Sequence, residues 1–253
     1  MRRSGLLFLL LAISATNVAA QYTYIVPVSG VASGFNSQYF TSVIAFNPTL
    51  APVTLRYEAI YPAPGTTNCR LPSSLTVLPR GLVGLGPACF GLHALVVTSD
   101  QPLRVVEEVF ATFLVKDATG NTFGRSELEP IEVATDWIAP EREAMIPLVR
   151  ILTPPDKANI ILVNPNDFVL IVRLHVERQE LGKVVDSTLQ LEPRSFLMTL
   201  VPPIPTPIPS GGIPQVFDAI HQITIRANGK FQAGVSNTYG GGTIYRAAVP
   251  LQP

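Results

Sequence analysis

The chain has 253 residues, and eighteen Lys+Arg balance eighteen Asp+Glu. With no positive excess it offers little attraction to a phosphate backbone, so a nucleic-acid partner is not expected. Hydrophobic residues make up 47% and charged residues 14%, which excludes disorder for the bulk of the chain, and twenty-four prolines argue against a helical fold.

The first twenty residues read as an export signal. Arg2 and Arg3 give a positive start, residues 6–13 an apolar run, and Val18-Ala19-Ala20 a small-residue cleavage site before Gln21. Arg2-Arg3 lacks the rest of a twin-arginine signature, and no cysteine near the site suggests a lipid anchor. The apolar run is short for a membrane span and no similar stretch follows, so no transmembrane segment is expected after signal removal. The predicted location is secreted, periplasmic or extracellular. Cys69 and Cys89 would then meet an oxidising compartment, and a disulfide between them would close a loop of about twenty residues, stabilising by about 3 kcal/mol.

From Gln21 onward one pattern is written twice. Ile25-Val26-Pro27-Val28 returns as Met145-Ile146-Pro147-Leu148, Phe46-Asn47-Pro48 as Val163-Asn164-Pro165, Leu78-Pro79-Arg80 as Glu192-Pro193-Arg194, and Leu92-His93 as Ile220-His221. After each Asn-Pro turn comes a strand of period two. Val53, Leu55, Tyr57 and Ala59 share one face in the first copy; Leu170, Val172, Leu174 and Val176 share one in the second. Thr122-Phe123-Gly124-Arg125 and Thr243-Ile244-Tyr245-Arg246 close the two copies. Short strands between Pro, Gly, Asn and Asp turns predict an all-β chain of two tandem immunoglobulin-like β-sandwich domains, 21–133 and 144–253, joined by a linker, 134–143.

These paired Asn-Pro turns, Pro-Arg turns and Ile-Pro openings resemble those of secreted proteins of environmental bacteria, of the acidobacterial type, built from paired immunoglobulin-like domains. The resemblance covers nearly the whole mature chain and implies no activity. Tyr245, where the first copy has Gly124, departs from it, as does a proline-rich insertion in the second copy. A second resemblance is architectural: periplasmic pilus chaperones are also two such domains behind a signal peptide, with a basic pair in the cleft. Arg104, Lys116 and Arg150 are the candidates by position.

No catalytic, cofactor or metal site is expected. The chain lacks a Gly-x-Ser-x-Gly elbow, and His93, His175 and His221 lack metal-ligand spacing. His93 and His221 are repeat equivalents placed just before a strand, in a turn or capping role, and His175 lies on a solvated face. Glu107 and Glu108, Glu127 and Glu129, and Glu141 and Glu143 read as solvated edge or linker charges. Gly240-Gly241-Gly242 is expected to be a turn or bulge, since no helix follows to make a phosphate site. The insertion carrying Pro203, Pro205, Pro207 and Pro209 should form a stiff extended loop, either a rigid connection, a shield for a sheet edge, or a ligand for an aromatic groove. Trp137, the single tryptophan, is expected to pack at a domain edge, with partner contact as the alternative. The expected function is an exported, non-enzymatic structural, interaction or adhesion module whose partner is an envelope or extracellular protein or polysaccharide. A pilus-type chaperone and a carbohydrate-binding module are the alternatives; for the latter Tyr22, Tyr24, Tyr39 and Tyr61 are the crowded aromatics.

Overall fold

A computed structural model describes residues 21–34, 37–62, 74–85, 91–116, 119, 122–131, 133–151, 157–178, 182–202, 204, 219–239 and 242–251. Its regular elements are all strands: β1 (Tyr22–Gly34), β2 (Ser37–Phe46), β3 (Val53–Ile60), β4 (Ser74–Val77), β5 (Leu82–Gly84), β6 (Gly91–Ser99), β7 (Arg104–Lys116) and β8 (Thr122–Ile131), followed by β9 (Ala144–Ile151), β10 (Lys157–Asn164), β11 (Leu170–Arg178), β12 (Lys183–Leu191), β13 (Ser195–Leu200), β14 (Ala219–Ala227), β15 (Gln232–Tyr239), β16 (Gly242–Ala247) and β17 (Val249–Pro250). Among the described residues no helix is long and apolar enough to cross a membrane.

The strand pairings repeat as the sequence does. In the first half β4-β3-β6-β1 lie side by side, and β5, β7 and β8 join β2 in the order β5-β2-β7-β8. In the second half β12-β11-β14-β9 and β13-β10-β15-β16 reproduce both orders. All ladders are antiparallel. Even the final pairing of β17 with β9 has its counterpart, a single bridge from Ala134 to Ile25. The halves differ at one corner. Ala32, Ser33 and Gly34 at the end of β1 pair with Tyr39, Gln38 and Ser37 of β2, so in the first half the two layers run together as one eight-stranded sheet.

Each half fills the space between its layers with its own side chains. In the first, Tyr24 and Val26 of β1, Leu55 of β3 and Leu95 and Val97 of β6 meet Val43 and Ala45 of β2. In the second, Ile146, Leu170, Val172, Leu174 and Ile223 meet Ile160, Leu162 and Val235. Alternation along β3 and β11 supplies this, because every second side chain of a strand enters the core.

What fixes the two layers at one end is a buried asparagine in each half. Asn47 Nδ2 donates to the carbonyls of Ala51 (2.8 Å), Val77 (3.1 Å) and Leu78 (3.1 Å), while its Oδ1 accepts from Thr49 N (2.9 Å) and Thr49 Oγ1 (2.8 Å). Asn164 repeats the set: Nδ2 donates to Phe168 (3.0 Å), Leu191 (3.3 Å) and Glu192 (2.7 Å), and Oδ1 accepts from Asn166 N (2.9 Å) and Nδ2 (2.8 Å). One carboxamide thereby ties the Asn-Pro turn of one layer to the Pro-Arg turn that leaves the other. The second turn needs a left-handed residue, supplied by Arg80 (φ 53) and Arg194 (φ 51), whose amides donate to the carbonyls of Thr49 and Asn166.

Asn47→Ala and Asn164→Ala should each destabilise the protein by about 3 kcal/mol, since three carbonyls lose their donor in a water-poor site. Urea unfolding reads this as a lower midpoint at unchanged slope. Thr49→Ala, which removes the smaller part of the Asn47 network, should cost less than half as much.

Candidate functional site

Position-by-position comparison of the halves exposes a polar layer in the first core. Ser29 faces His93 across β1 and β6 as Val149 faces His221 across β9 and β14. Val43 faces Glu107 as Ile160 faces Val235, and Thr41, two residues before Val43, takes the place of Ala158. Val149, Ala158, Ile160 and Val235 all belong to the second core. In the first half three of these four positions are polar and buried: Ser29, Thr41 and Glu107.

Local backbone geometry seats this layer. A register shift between Val26 and Ser29 turns Ser29 toward the interior, where its Oγ lies 3.1 Å from Thr41 Oγ1. Gly30 N donates to the same Thr41 oxygen at 2.8 Å. Gly30 has φ 112, and a Cβ there would collide with the Gly91 carbonyl, so glycine is required. His93 Nδ1 donates to that carbonyl at 3.2 Å, leaving Nε2 as the acceptor, and its ring lies 5.3 Å from the Tyr61 ring. Burial holds the His93 imidazole below its usual pKa, against a smaller upward pull from the Gly91 bond. Glu107 is 0% exposed, and neither carboxyl oxygen has a hydrogen-bond partner among the described residues. Burial pushes its carboxyl well above the usual carboxylate range, which favours the neutral acid.

A second feature joins the halves. Val28, Ile60 and Ala94, with Leu92 and Val96 beside them, form the outer side of the β3-β6-β1 layer, away from the first core. They pack against Ile161 and Val163 of β10, Phe196 and Met198 of β13, and Tyr245 and Ala247 of β16, on the outer side of the second half. β10 is consequently buried on both faces from Ala158 to Asn164 apart from Asn159. Phe196 N donates to Tyr61 O at 2.9 Å, and Arg194 lies 3.6 Å from Glu58 across the same seam. The Tyr245 ring lies directly over Gly234, where a Cβ would overlap it.

The segment 134–143 is pinned on both sides of this seam. Ala134 and Ile25 exchange two backbone hydrogen bonds, Ile138 and Phe231 exchange two more, and Arg226 Nε meets Glu141 Oε2 at 2.7 Å. Trp137 is partly buried against the shared cluster.

Other expected residues fall in varied places. His93 and His221 lie inside β6 and β14 and are buried, not in turns before them, because the strands begin earlier than their apolar pattern suggests. Glu107 is a core residue and not a solvated charge, because its strand is central and its face is the inner one. His175 is exposed beside Asp186 at 2.8 Å, as its alternation indicates. Arg104 stands exposed on the outer side of β7 and, among the described residues, is not part of the shared cluster between the halves. The side chains of Lys116 and Arg150 lie outside the described residues. Tyr24 is buried with its hydroxyl donating to Leu103 O at 2.8 Å, and Tyr61 sits against His93, which removes both from a flat sugar platform. Cys69, Cys89, Pro203, Pro205, Pro207, Pro209, Gly240 and Gly241 lie outside the described residues, as do residues 1–20. Val201 and Ile204, at the start of the proline-rich insertion, are buried in the second core. Among the described residues no three of His, Cys, Asp and Glu stand together as metal ligands.

No family model, curated protein or solved structure matches the chain.

Glu107→Val should stabilise the protein by about 1–3 kcal/mol, since it replaces an unpartnered polar group with the residue found at the equivalent position 235. The sign with pH follows from the raised carboxyl. The folded chain keeps a proton that the unfolded chain releases, so the associated stability is full below the ordinary carboxylate range and is lost as pH rises toward the shifted value. Chemical denaturation of both proteins from pH 4 to 9 should therefore show the variant's advantage growing as pH rises.

Proposed function

We propose that the protein is an exported, non-enzymatic structural or interaction module of two immunoglobulin-like sandwich domains, 21–133 and 144–253. The observation that carries this reading is the apolar seam, with the pinned segment across it, which couples the halves into one stiff body. Within each half the second strand pairs with the fifth and the third with the sixth, the pairs at the centre of an immunoglobulin sandwich. The first and seventh strands have traded layers relative to that fold: the first lies beside the sixth and the seventh beside the second. The placement of ionisable groups also supports the reading. Glu107 and His93 are enclosed, whereas Arg226 with Glu141 and Arg194 with Asp167 form exposed ion pairs, and His175 meets Asp186 in an exposed hydrogen bond.

Export is tested by expressing the full chain in a bacterial host. Protein beginning at Gln21 outside the cytoplasm supports it, and an uncut cytoplasmic chain contradicts it. Stiffness is tested by small-angle scattering. The wild type should give one compact two-lobed shape, whereas Phe196→Glu, which places a charge in the seam, should raise the radius of gyration while leaving β content unchanged.

A further inference from the structure

The two halves carry the same outer layer, but only one copy of it is covered. In the second half, Phe196, Val163 and Gln232 stand in one row across β13, β10 and β15, and Met198, Ile161 and Gly234 in the next. The first half packs against Phe196, Val163, Met198 and Ile161, and the second half's own Tyr245 lies over Gly234. The matching rows of the first half are Leu82, Phe46 and Arg104, then Gly84, Ile44 and Val106, across β5, β2 and β7. Here Leu82 is 70% exposed and Val106 47%, with Ile44 and Phe46 partly exposed. Val106 replaces Gly234, and its side chain fills the place over which Tyr245 lies in the second half.

We infer that this β5-β2-β7 face is a self-association surface that docks face to face on the same surface of a second copy. Two observations select that occupant. The chain already buries the equivalent face under an apolar sheet, so sheet-on-sheet stacking through outer faces is the contact this architecture makes. The polar groups on the face are also self-complementary. Arg104 and Glu108 flank Val106 on one side of β7, at equal distances along the strand. A two-fold axis crossing the strands at Val106 lays β7 on its own copy in the opposite direction, sets Val106 and Ile44 at the centre, and brings Arg104 of each molecule over Glu108 of the other. Among the described residues the outer side of β12, β11 and β14 serves less well, because there Ile171 and Val184 stand among Arg173, His175, Gln222, Thr224 and Arg226. The assignment concerns the folded chain and is independent of export.

Sedimentation equilibrium of the purified protein between 1 and 200 μM tests this, the range being set by the affinities of small interfaces, roughly micromolar and weaker. A monomer–dimer equilibrium is expected. Leu82→Glu and Val106→Glu, both at exposed positions, should raise its dissociation constant at least tenfold with unchanged circular dichroism and thermal midpoint. Arg104→Glu should weaken it at least fivefold, and the double change Arg104→Glu with Glu108→Arg should restore it to within threefold. A wild type that stays monomeric throughout, or a dimer indifferent to these changes, overturns the proposal. A dimer weakened by Leu82→Glu but not rescued by the charge exchange overturns the two-fold arrangement.

Discussion

A buried carboxamide at one end of each half is the constraint on which the architecture rests. Asn47 and Asn164 each satisfy three carbonyls from two different turns and accept two hydrogen bonds in return. Cores of Val, Leu and Ile can slide past one another with little change in buried area, because apolar contact has no direction. The asparagine network does have direction, and it sets the register in which β2 and β4, or β10 and β12, approach. Everything inward of that point, including the alternation of β3 and β11, then faces the partner layer.

With the interiors specified in this way, the outer faces are where the halves diverge, and that divergence sets the shape of the whole molecule. The first half is apolar on the outer side of its β3-β6-β1 layer, where Leu92, Ala94 and Val96 stand. At the places of Ala94 and Val96 the second half has Gln222 and Thr224 on β14, with only Ile220, at the place of Leu92, apolar. Only one of the two layers therefore offers a surface that favours burial over hydration. One seam forms, and stacking of that kind ends at the second half. Inside the sheets the halves differ as well: Ser29, Thr41 and Glu107 are buried polar residues where the second half has Val149, Ala158 and Val235, whereas buried His93 has its counterpart in buried His221.

Much of this was legible in the residues and some was not. The repeated Asn-Pro and Pro-Arg turns identified the duplication correctly, because a turn that must bury its asparagine and place a residue at positive φ tolerates few substitutes. What those turns could not reveal is that they touch each other, since the contact spans about thirty residues of sequence. Period-two alternation located β3 and β11 but misplaced His93 and Glu107. A polar residue on a strand reads as solvent-facing unless its register is known, and register is a tertiary property. The seam left no usable trace in β10: Ile160 to Val163 are all apolar, but so are their counterparts Val43 to Phe46 in the first copy, and only the fold shows which of the two strands is covered on both sides. The Cys69–Cys89 bridge and the contact role of Pro203, Pro205, Pro207 and Pro209 fall outside the described residues and stand as sequence expectations.

The most direct test of the account is hydrogen exchange at the side-chain amides of Asn47 and Asn164, followed by nuclear magnetic resonance. Each Nδ2 group is buried and fully engaged, so both pairs of protons should exchange slowly, with protection comparable to the backbone amides of β3 and β11. Exchange of either pair at the rate of a solvent-exposed carboxamide would contradict the claim that one clamp, used twice, fixes both halves.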